Sequence, residues 1–317
     1  MPESSGPPGV SLPAVVPTPS VTGMAPSEDE TIPVPPEGPA PAPPAPPGRS
    51  AGPDDPDAAL FVRDGASFLP TDLARGPWTP KALHGGTVAA LVARAVERCS
   101  PEGGQQLTRL TLELLRPVPK ARLQVTAFLV RPGKKVQLVD AVVESGGVEI
   151  AWARALRIRV HPEEDRVTST VADEDAPPPP ERGIVTPSSF DGYPAFHNEG
   201  VEIRFVRGRF DELGASAAWF RLRCPVVAGE EPSPFQRAAA AADFGNGISA
   251  ELDFKTHVFI NPDLTVSVVR PPVGEWICLD ARTRFGTPGI GVAASVLWDR
   301  EGRIGRSLQS LLVEPIH

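Results

Sequence analysis

The sequence is poor in the residues and segments that mark secreted and membrane proteins. Its 317 residues include only three cysteines, which lie far apart along the chain. An odd and scattered set of cysteines fits buried thiols in a reducing compartment better than a disulfide framework, so we predict a cytoplasmic protein. The N-terminus lacks the basic region and apolar run of a signal peptide. No apolar run approaches the ~18 residues that a membrane span needs, so none is predicted.

Several motifs of well-known enzyme classes are also missing. The chain has no G-x-S-x-G sequence, which argues against the serine nucleophile of an α/β-hydrolase. It has no C-x-x-C, no H-x-x-x-H and no P-loop, so it shows no pattern for zinc or for nucleotide phosphates. The tripeptide Gly289-Ile290-Gly291 precedes strand-like sequence rather than a helix, which indicates a turn. We therefore predict neither a metal site nor a cofactor.

Proline and negative charge are concentrated at one end of the chain. Residues 1–57 contain 18 of the 40 prolines, eight acidic residues, one basic residue (Arg49) and no aromatic residue. Such a segment cannot bury enough apolar surface to offset the entropy of ordering, so it is predicted to be a disordered tail. The tail carries −7 of the net charge of −8. The nearly neutral remainder, without a Lys/Arg stripe, argues against nucleic acid as a partner.

The rest of the chain repeats one order of elements. Residues 58–160 contain a helix with apolar residues at spacings of three, four and seven over 88–96, followed by strands. These strands are predicted around 107–115, 121–131, 135–144 and 148–160. Residues 200–317 contain strands around 201–210 and 215–226, a helix near 233–244, and strands near 257–270, 275–284, 290–298 and 303–314. Residues 161–199, which are rich in proline and acidic residues, are predicted to be a surface linker.

A single offset of 154 positions aligns the two repeats. It places Arg116 on Arg270 and Ile150 on Ile304. An ungapped match through four strands indicates an internal duplication. A curved antiparallel sheet around one apolar helix is the hotdog arrangement. The predicted fold is therefore α+β, a tandem (double) hotdog with two curved antiparallel sheets edge to edge, each wrapped around a central helix.

Short motifs in both repeats resemble the thioesterase-like superfamily of double-hotdog proteins, which includes the bacterial acyl-CoA thioesterase II enzymes. In the first repeat the motifs are Gly76-Pro77-Trp78, His84-Gly85-Gly86 and Leu115-Arg116-Pro117. In the second they are Ala242-Asp243-Phe244, Asn261-Pro262-Asp263-Leu264, Arg270-Pro271 and Gln309-Ser310. The resemblance covers roughly residues 58–315 and implies a hydrolase that cleaves the thioester of acyl-CoA.

Asp243 is the strongest candidate for a catalytic residue. It ends an alanine-rich helical run, where a carboxylate faces the negative end of the helix dipole at a cost of about 0.3–1 kcal/mol. Local rules are broken most often where function requires it, although Asp243 could instead bond the glycine-rich turn that follows. The resemblance implies that Asp243, Asn261 and Gln309 hold a water against the thioester, with Asp243 as general base. Related enzymes tend to carry a hydroxyl residue in place of Asn261, and Gln309 also fits a solvated strand face.

The helix start in the first repeat offers a second set of candidates. The N–H groups of Gly85 and Gly86 could bind the oxyanion formed during hydrolysis, or the glycines could serve close helix–sheet packing. His84 is expected to orient the loop or cap the helix, without a proton-transfer role. The offset puts Ala89 where the second repeat has Asp243, which predicts one active cleft per chain.

Two arginines at matched positions are candidates for contacts with the CoA phosphates. Arg116 and Arg270 each precede a proline at the end of a strand. Their equivalence in the two repeats favours a structural role in the duplicated fold instead.

Two other functions are open from the sequence. The first is a non-catalytic acyl-CoA or lipid-binding protein, favoured if Asp243 points into solvent or pairs with an arginine. The second is a hotdog enoyl-CoA hydratase, which would use a histidine with an acidic residue; His84 is the only histidine near a helix start. Open sheet edges in hotdog proteins further predict a homo-oligomer.

Overall fold

A computed structural model describes residues 58–100, 104–161, 175–186, 192–287 and 289–316. The predicted tail, residues 1–57, lies outside this set, so its predicted disorder stays a prediction. Among these residues no helix is both long enough and apolar enough to pass through a membrane. In the same part of the chain, no group of three or more His, Cys, Asp or Glu side chains is arranged to hold a metal ion.

Thirteen antiparallel strands form a single sheet. The first six are β1 (Phe61–Asp64), β2 (Ser67–Pro70), β3 (Gln105–Leu114), β4 (Leu123–Arg131), β5 (Val136–Ser145) and β6 (Val148–Arg159). The other seven are β7 (Val201–Arg207), β8 (Ser216–Leu222), β9 (His257–Ile260), β10 (Asp263–Val268), β11 (Ile277–Gly286), β12 (Ile290–Asp299) and β13 (Gly302–Pro315).

The sheet is continuous across the two repeats. Its strand order is β1-β2-β4-β5-β6-β3-β10-β13-β12-β11-β8-β7, and β9 pairs with β13. The two sheets that were predicted to lie edge to edge are thus parts of one continuous sheet. Strands β3 and β10 join edge to edge through an antiparallel ladder, which satisfies backbone groups that two open edges would leave exposed.

The second half of the sheet repeats the first at the predicted offset. Strands β11, β12 and β13 each begin 154 positions after β4, β5 and β6, respectively. At the centre of the sheet, Thr111 of β3 faces Thr265 of β10, and these residues are also 154 positions apart. Their Oγ1 atoms are 3.2 Å apart. A pseudo-two-fold axis therefore passes through this pair, and the duplication is confirmed for these strands.

Among the described residues, three α-helices cover one face of the sheet: α1 (Gly85–Arg98), α2 (Pro234–Ala242) and α3 (Gly245–Ile248). The Ser233 hydroxyl caps α2 by accepting a hydrogen bond from the Gln236 amide at 3.1 Å, with proline at the first helical position. The helix predicted near 233–244 is broken after Ala242, and the chain resumes as α3.

Helices α1 and α2 pack against each other in antiparallel directions. Near the start of α1, the Gly86 amide donates to Asp243, which follows α2. Near its end, the Glu97 carboxylate accepts a hydrogen bond from Ser233 at the start of α2, with 2.7 Å between Oγ and Oε1. The alanine run of α2 is fully buried and keeps the two backbones close. Residues far apart in sequence thereby meet at both ends of the helix pair.

The interval predicted as a surface linker also contributes to packing. Phe196 and His197 are buried, and their segment packs against β7 and against residues 72–74. On the outer face of the sheet, Trp219 Nε1 donates to the carbonyl of Pro178 at 2.7 Å. The described parts of this interval therefore cover apolar surface as well as connecting the two repeats.

Candidate active site

Asp243 lies where the chain passes from α2 to α3, and its side chain is buried. It neither points into solvent nor pairs with an arginine, which were the two arrangements expected of a non-catalytic binding protein. Four donors surround its two carboxylate oxygens. An ionised carboxylate has about four lone-pair positions, so these donors nearly saturate it.

The first repeat supplies the donors to Oδ2. The Gly86 amide lies 2.7 Å from Oδ2 and 3.0 Å from Nδ1 of His84. Nδ1 itself lies 2.9 Å from Oδ2. Because two acceptors at that distance would repel each other, Nδ1 carries a hydrogen and donates it to Oδ2, and the amide also donates to the carboxylate.

The second repeat supplies the donors to Oδ1. Asn261 Nδ2 donates at 2.9 Å and Gln309 Nε2 at the longer distance of 3.3 Å. Gln309 is buried, its Nε2 also donates to the Asp243 carbonyl at 3.1 Å, and its Oε1 accepts from the Asn246 amide at 3.1 Å. The three predicted residues therefore come together around one carboxylate oxygen.

The environment of Asp243 favours its ionised form. Burial by itself raises the pKa of the carboxyl, since a charge is costly in an apolar interior. Hydrogen bonds from His84, Asn261 and the Gly86 amide outweigh that effect and hold the pKa below its usual value. Asp243 is therefore a carboxylate at neutral pH, which removes any need for another group to deprotonate it.

Local sequence features place the two amide side chains. The strand predicted at 257–270 is interrupted at Asn261-Pro262, because a proline cannot donate to the ladder and the chain leaves β9 to begin β10. This interruption turns Asn261 towards Asp243. Gln309 reaches the same place because alternate residues of β13 face the helices, so its predicted alternative on a solvated strand face is wrong.

The glycines of the site allow close approach of its parts. A Cβ atom on Gly85 would lie 2.8 and 3.0 Å from the Asp243 carboxylate oxygens. A Cβ on Gly86 would lie 2.4 Å from the carbonyl oxygen of Ala240 in α2. These glycines therefore serve close packing, but against α2 and Asp243 and not against the sheet as predicted. The Gly86 N–H, predicted as an oxyanion donor, is instead used by Asp243, whereas Gly85 begins α1 and has no helical acceptor for its N–H.

The pseudo-two-fold axis does not generate a second copy of this site. The offset of 154 puts Leu107 in the place of Asn261 and Ala155 in the place of Gln309. Both are buried apolar residues. The described residues therefore form one such site per chain.

His84 is the N-cap residue of α1, as predicted, but the sequence analysis missed its contact with Asp243. Besides its bond to Asp243, its ring packs against Phe196 and Phe244, with centroid distances of 5.2 and 4.5 Å. The sequence feature that could have pointed to this contact is a histidine directly before two glycines at the start of an apolar helix. The sequence did not show that this helix start would meet the end of the helix in the other repeat.

The matched arginines have different surroundings. Arg270 forms a two-point ion pair with Asp299, with 2.5 Å between Nη1 and Oδ2 and 2.6 Å between Nη2 and Oδ1. At the matching position the first repeat has Ser145, and Arg116 is exposed without an ion pair to any residue in the described ranges. The predicted structural role therefore holds for Arg270 and not for Arg116.

Comparison with solved structures gives the class of fold. A conserved hotdog-fold protein of unknown function from Alicyclobacillus acidocaldarius is 19% identical, with a TM-score of 0.65 over 82% of this chain and 98% of that chain. An acyl-CoA thioesterase II from Mycobacterium marinum is 17% identical, with a TM-score of 0.54 over 74% of this chain and 92% of that one. At these identities the similarity shows a hotdog fold. No curated protein matches the chain in sequence.

Two family models define the membership more closely. Residues 74–158 match the acyl-CoA thioesterase N-terminal domain, and residues 162–313 match the acyl-CoA thioesterase C-terminal domain. The chain therefore belongs to the acyl-CoA thioesterase family, and its enzyme class is thioester hydrolase.

Proposed function

We propose that the protein hydrolyses acyl-CoA thioesters with a water that Asp243 activates. The observation that carries this proposal is the convergence of Asn261 and Gln309 on the buried, ionised carboxylate of Asp243. A general base of this kind typically contributes ~10²–10⁴-fold to the rate.

The weakest of the four contacts to Asp243 is the position that we propose for the water. Gln309 Nε2 lies 3.3 Å from Oδ1, the longest of these distances. A water that takes the place of this contact would accept a hydrogen bond from Gln309 and donate one to Oδ1, leaving a lone pair to attack the thioester carbonyl carbon. Asp243 takes the proton of the water and returns it to the CoA thiolate when the carbon–sulfur bond breaks, so the products are a carboxylic acid and free CoA.

The start of α1 supports the same reaction from the opposite side. The Gly85 N–H and the positive end of the helix would bind the oxyanion of the tetrahedral intermediate. His84 would hold the carboxylate in place through its bond to Oδ2 and so act as a positioning residue. The Gly86 amide also donates to Oδ2, so the water would approach Oδ1 and replace the Gln309 contact there.

The architecture that we propose is a tandem double hotdog. Residues 58–160 and 200–317 would form its two units, 161–199 their connection and 1–57 a disordered tail. The axis through Thr111 and Thr265 supports this division, since it relates the strands of the two segments. Each unit contributes its own long helix, α1 or α2, to the shared helix pair.

We also propose that the chain forms homo-oligomers. Ile290 of β12 and Leu312 of β13 face each other on the outer side of the sheet and are 65% and 44% exposed. Contiguous exposed apolar side chains favour burial against a partner. Light scattering that gives the mass of a single chain at micromolar concentration would overturn this part of the proposal.

The central experiment measures free-thiol release from short, medium and long acyl-CoA substrates. The wild type is compared with Asp243→Asn and with the control Asp175→Asn, which changes an exposed carboxylate. We expect turnover by the wild type and the control, and a loss of at least about a hundredfold in Asp243→Asn. Turnover that survives Asp243→Asn would show that the reaction occurs without the proposed base.

One contact favours a second function. The His84–Asp243 pair is the histidine–carboxylate combination that a hotdog enoyl-CoA hydratase uses. Family membership favours hydrolysis, and the two are separated by supplying an enoyl-CoA and measuring both hydration of the double bond and thiol release. Hydration without thiol release would favour the hydratase. Binding of acyl-CoA without either reaction would favour the non-catalytic binding protein.

A further inference from the structure

We propose that Arg116 binds the phosphate groups of CoA at the rim of the active site. The proposal rests on the proposed function, in which CoA is the leaving group. It begins from the different surroundings of Arg116 and Arg270, which occupy equivalent positions in the internal duplication.

The duplicated arginine in the second repeat is already used within the protein. Arg270 holds Asp299, whose side chain is fully buried, so its guanidinium serves to neutralise an interior charge. The first repeat has no carboxylate at this position, because Ser145 stands where the second repeat has Asp299. Arg116 thereby keeps its guanidinium exposed, with no ion pair among the residues that the structure covers.

Backbone contacts on both sides place Arg116 beside the site. Two residues before it, the Leu114 amide donates to the carbonyl of Pro262 at 2.7 Å, and Pro262 directly follows Asn261. Two residues after it, the carbonyl of Val118 accepts from the Leu83 amide at 2.8 Å, and Leu83 directly precedes His84. Arg116 therefore lies on the rim between the two groups of residues that surround Asp243.

A second unpaired cation stands on the same rim. The carbonyl of Lys81 accepts from the Lys120 amide at 2.7 Å, so Lys81 runs alongside the segment that follows Arg116. Its ammonium group is exposed and has no ion pair within the described ranges. Lys120, by contrast, pairs with Asp72 at 2.5 Å.

The chemistry of the substrate matches this rim. The thioester of an acyl-CoA enters the site at one end of a neutral pantetheine arm, and its phosphates stay outside at the other end. A guanidinium presents several N–H donors in a plane and binds phosphate oxygens in pairs, which makes arginine well suited to this ligand. Arg116 would bind a phosphate in this manner, and Lys81 would add a second, less directional positive charge.

The test uses equilibrium binding of CoA and of pantetheine, which has the same thiol arm without phosphates. Both are titrated calorimetrically into the full-length wild type, Arg116→Ala and Arg282→Ala, which removes an exposed arginine from the outer face of the sheet. We expect Arg116→Ala to weaken CoA binding roughly 10- to 100-fold, as the loss of a charge-assisted hydrogen bond predicts. Pantetheine should bind all three proteins equally, and Arg282→Ala should bind CoA like the wild type.

Turnover gives an independent comparison. With acyl-CoA, Arg116→Ala should raise KM and leave kcat nearly unchanged, and with the acyl thioester of N-acetylcysteamine it should change neither. CoA binding that is unaltered by Arg116→Ala, absent from the wild type, or weakened equally for pantetheine would overturn the proposal. A wild type that binds CoA through Arg116 but releases no thiol would leave this site standing and overturn only the thioesterase function.

Discussion

His84 Nδ1 and Asp243 Oδ2 lie 2.9 Å apart, and the two residues belong to different repeats of the chain. The histidine directly precedes α1, and the carboxylate directly follows α2. Because the helices run antiparallel, the positive end of one meets the C-terminal end of the other. The contact keeps a negative charge buried at a helix C-terminus, where it would otherwise be unfavourable.

Removal of His84 should shift the pH dependence of the reaction. In His84→Ala, burial of Asp243 is no longer offset by the histidine, so the pKa of the carboxyl should rise. The acidic limb of the kcat/KM profile should then move to higher pH. At the acidic end of the profile, kcat/KM should be at least tenfold lower than that of the wild type. His161→Ala, which changes an exposed histidine, is the control. An unchanged acidic limb would show that His84 does not act on Asp243.

Substitutions of Asn261 should distinguish the contribution of its hydrogen bond to Asp243 from the contribution of its packing. Asn261→Thr and Asn261→Val have nearly the same volume, but only threonine can donate to Asp243 Oδ1. We expect the valine variant to lose roughly 10–100-fold in kcat/KM relative to the threonine variant, which is the usual worth of a hydrogen bond to a charged group. Equal activity of the two variants would mean that Asn261 contributes only packing.

Gly86 should be intolerant of even a methyl group. The Cβ in Gly86→Ala would lie 2.4 Å from the Ala240 carbonyl, which is backbone and has little freedom to move. Overpacking of this kind typically costs about 1–3 kcal/mol and should lower the melting temperature by several degrees.

A second glycine provides the matched control for this measurement. A Cβ on Gly247 in α3 would meet nothing within 4 Å. Gly247→Ala should therefore leave the melting temperature unchanged or raise it slightly, because alanine favours helix. Equal melting temperatures for both alanine variants would contradict the close contact of α1 with α2.

The Arg270–Asp299 pair should support stability above the acid range. Burial raises the pKa of Asp299, but Arg270 and two backbone amides lower it below the usual value overall. A carboxyl with a depressed pKa stabilises the fold above its unfolded pKa of about 3.9, and this contribution is lost as the pH falls through the folded pKa.

Arg270→Ala should therefore destabilise the protein at pH 7 by about 3–5 kcal/mol, because it leaves a buried charge without its partner. The difference from the wild type should shrink as the solution is acidified below the unfolded pKa. Urea unfolding at pH 7 and pH 3 measures both effects. Arg116→Ala is the matched control and should unfold like the wild type at either pH.

Strand positions were largely predictable because they depend on local patterns. The alternation of apolar residues and the offset of 154 located β4, β5 and β6 and their counterparts to within a few residues. The edge-to-edge arrangement of the sheets was predicted but its register was not, since the pairing of Thr111 with Thr265 depends on two edges that meet only in the folded chain. The end of α2 near Asp243 was predicted, but the short helix α3 was missed because its glycines favour a turn.

The residues of the candidate site were predictable from the sequence, whereas the contacts between them were not. Asp243, Asn261 and Gln309 followed from the family resemblance, and the structure brings them together. The bond between Gly86 and Asp243 joins residues 157 positions apart, and no local pattern reports such a contact. The difference between Arg116 and Arg270, in contrast, was visible in the sequence, because the offset places Ser145 against Asp299. The cytoplasmic location stays a prediction.

The axis through Thr111 and Thr265 has a consequence for how the two repeats can diverge by mutation. In a symmetric pair of identical subunits, one mutation alters both equivalent positions at once, so neither position can change alone. Here the two equivalent positions are encoded separately. Gln309 can hold a polar site while its counterpart Ala155 packs an apolar interior, and Arg270 can hold an interior charge while Arg116 stays free for another task.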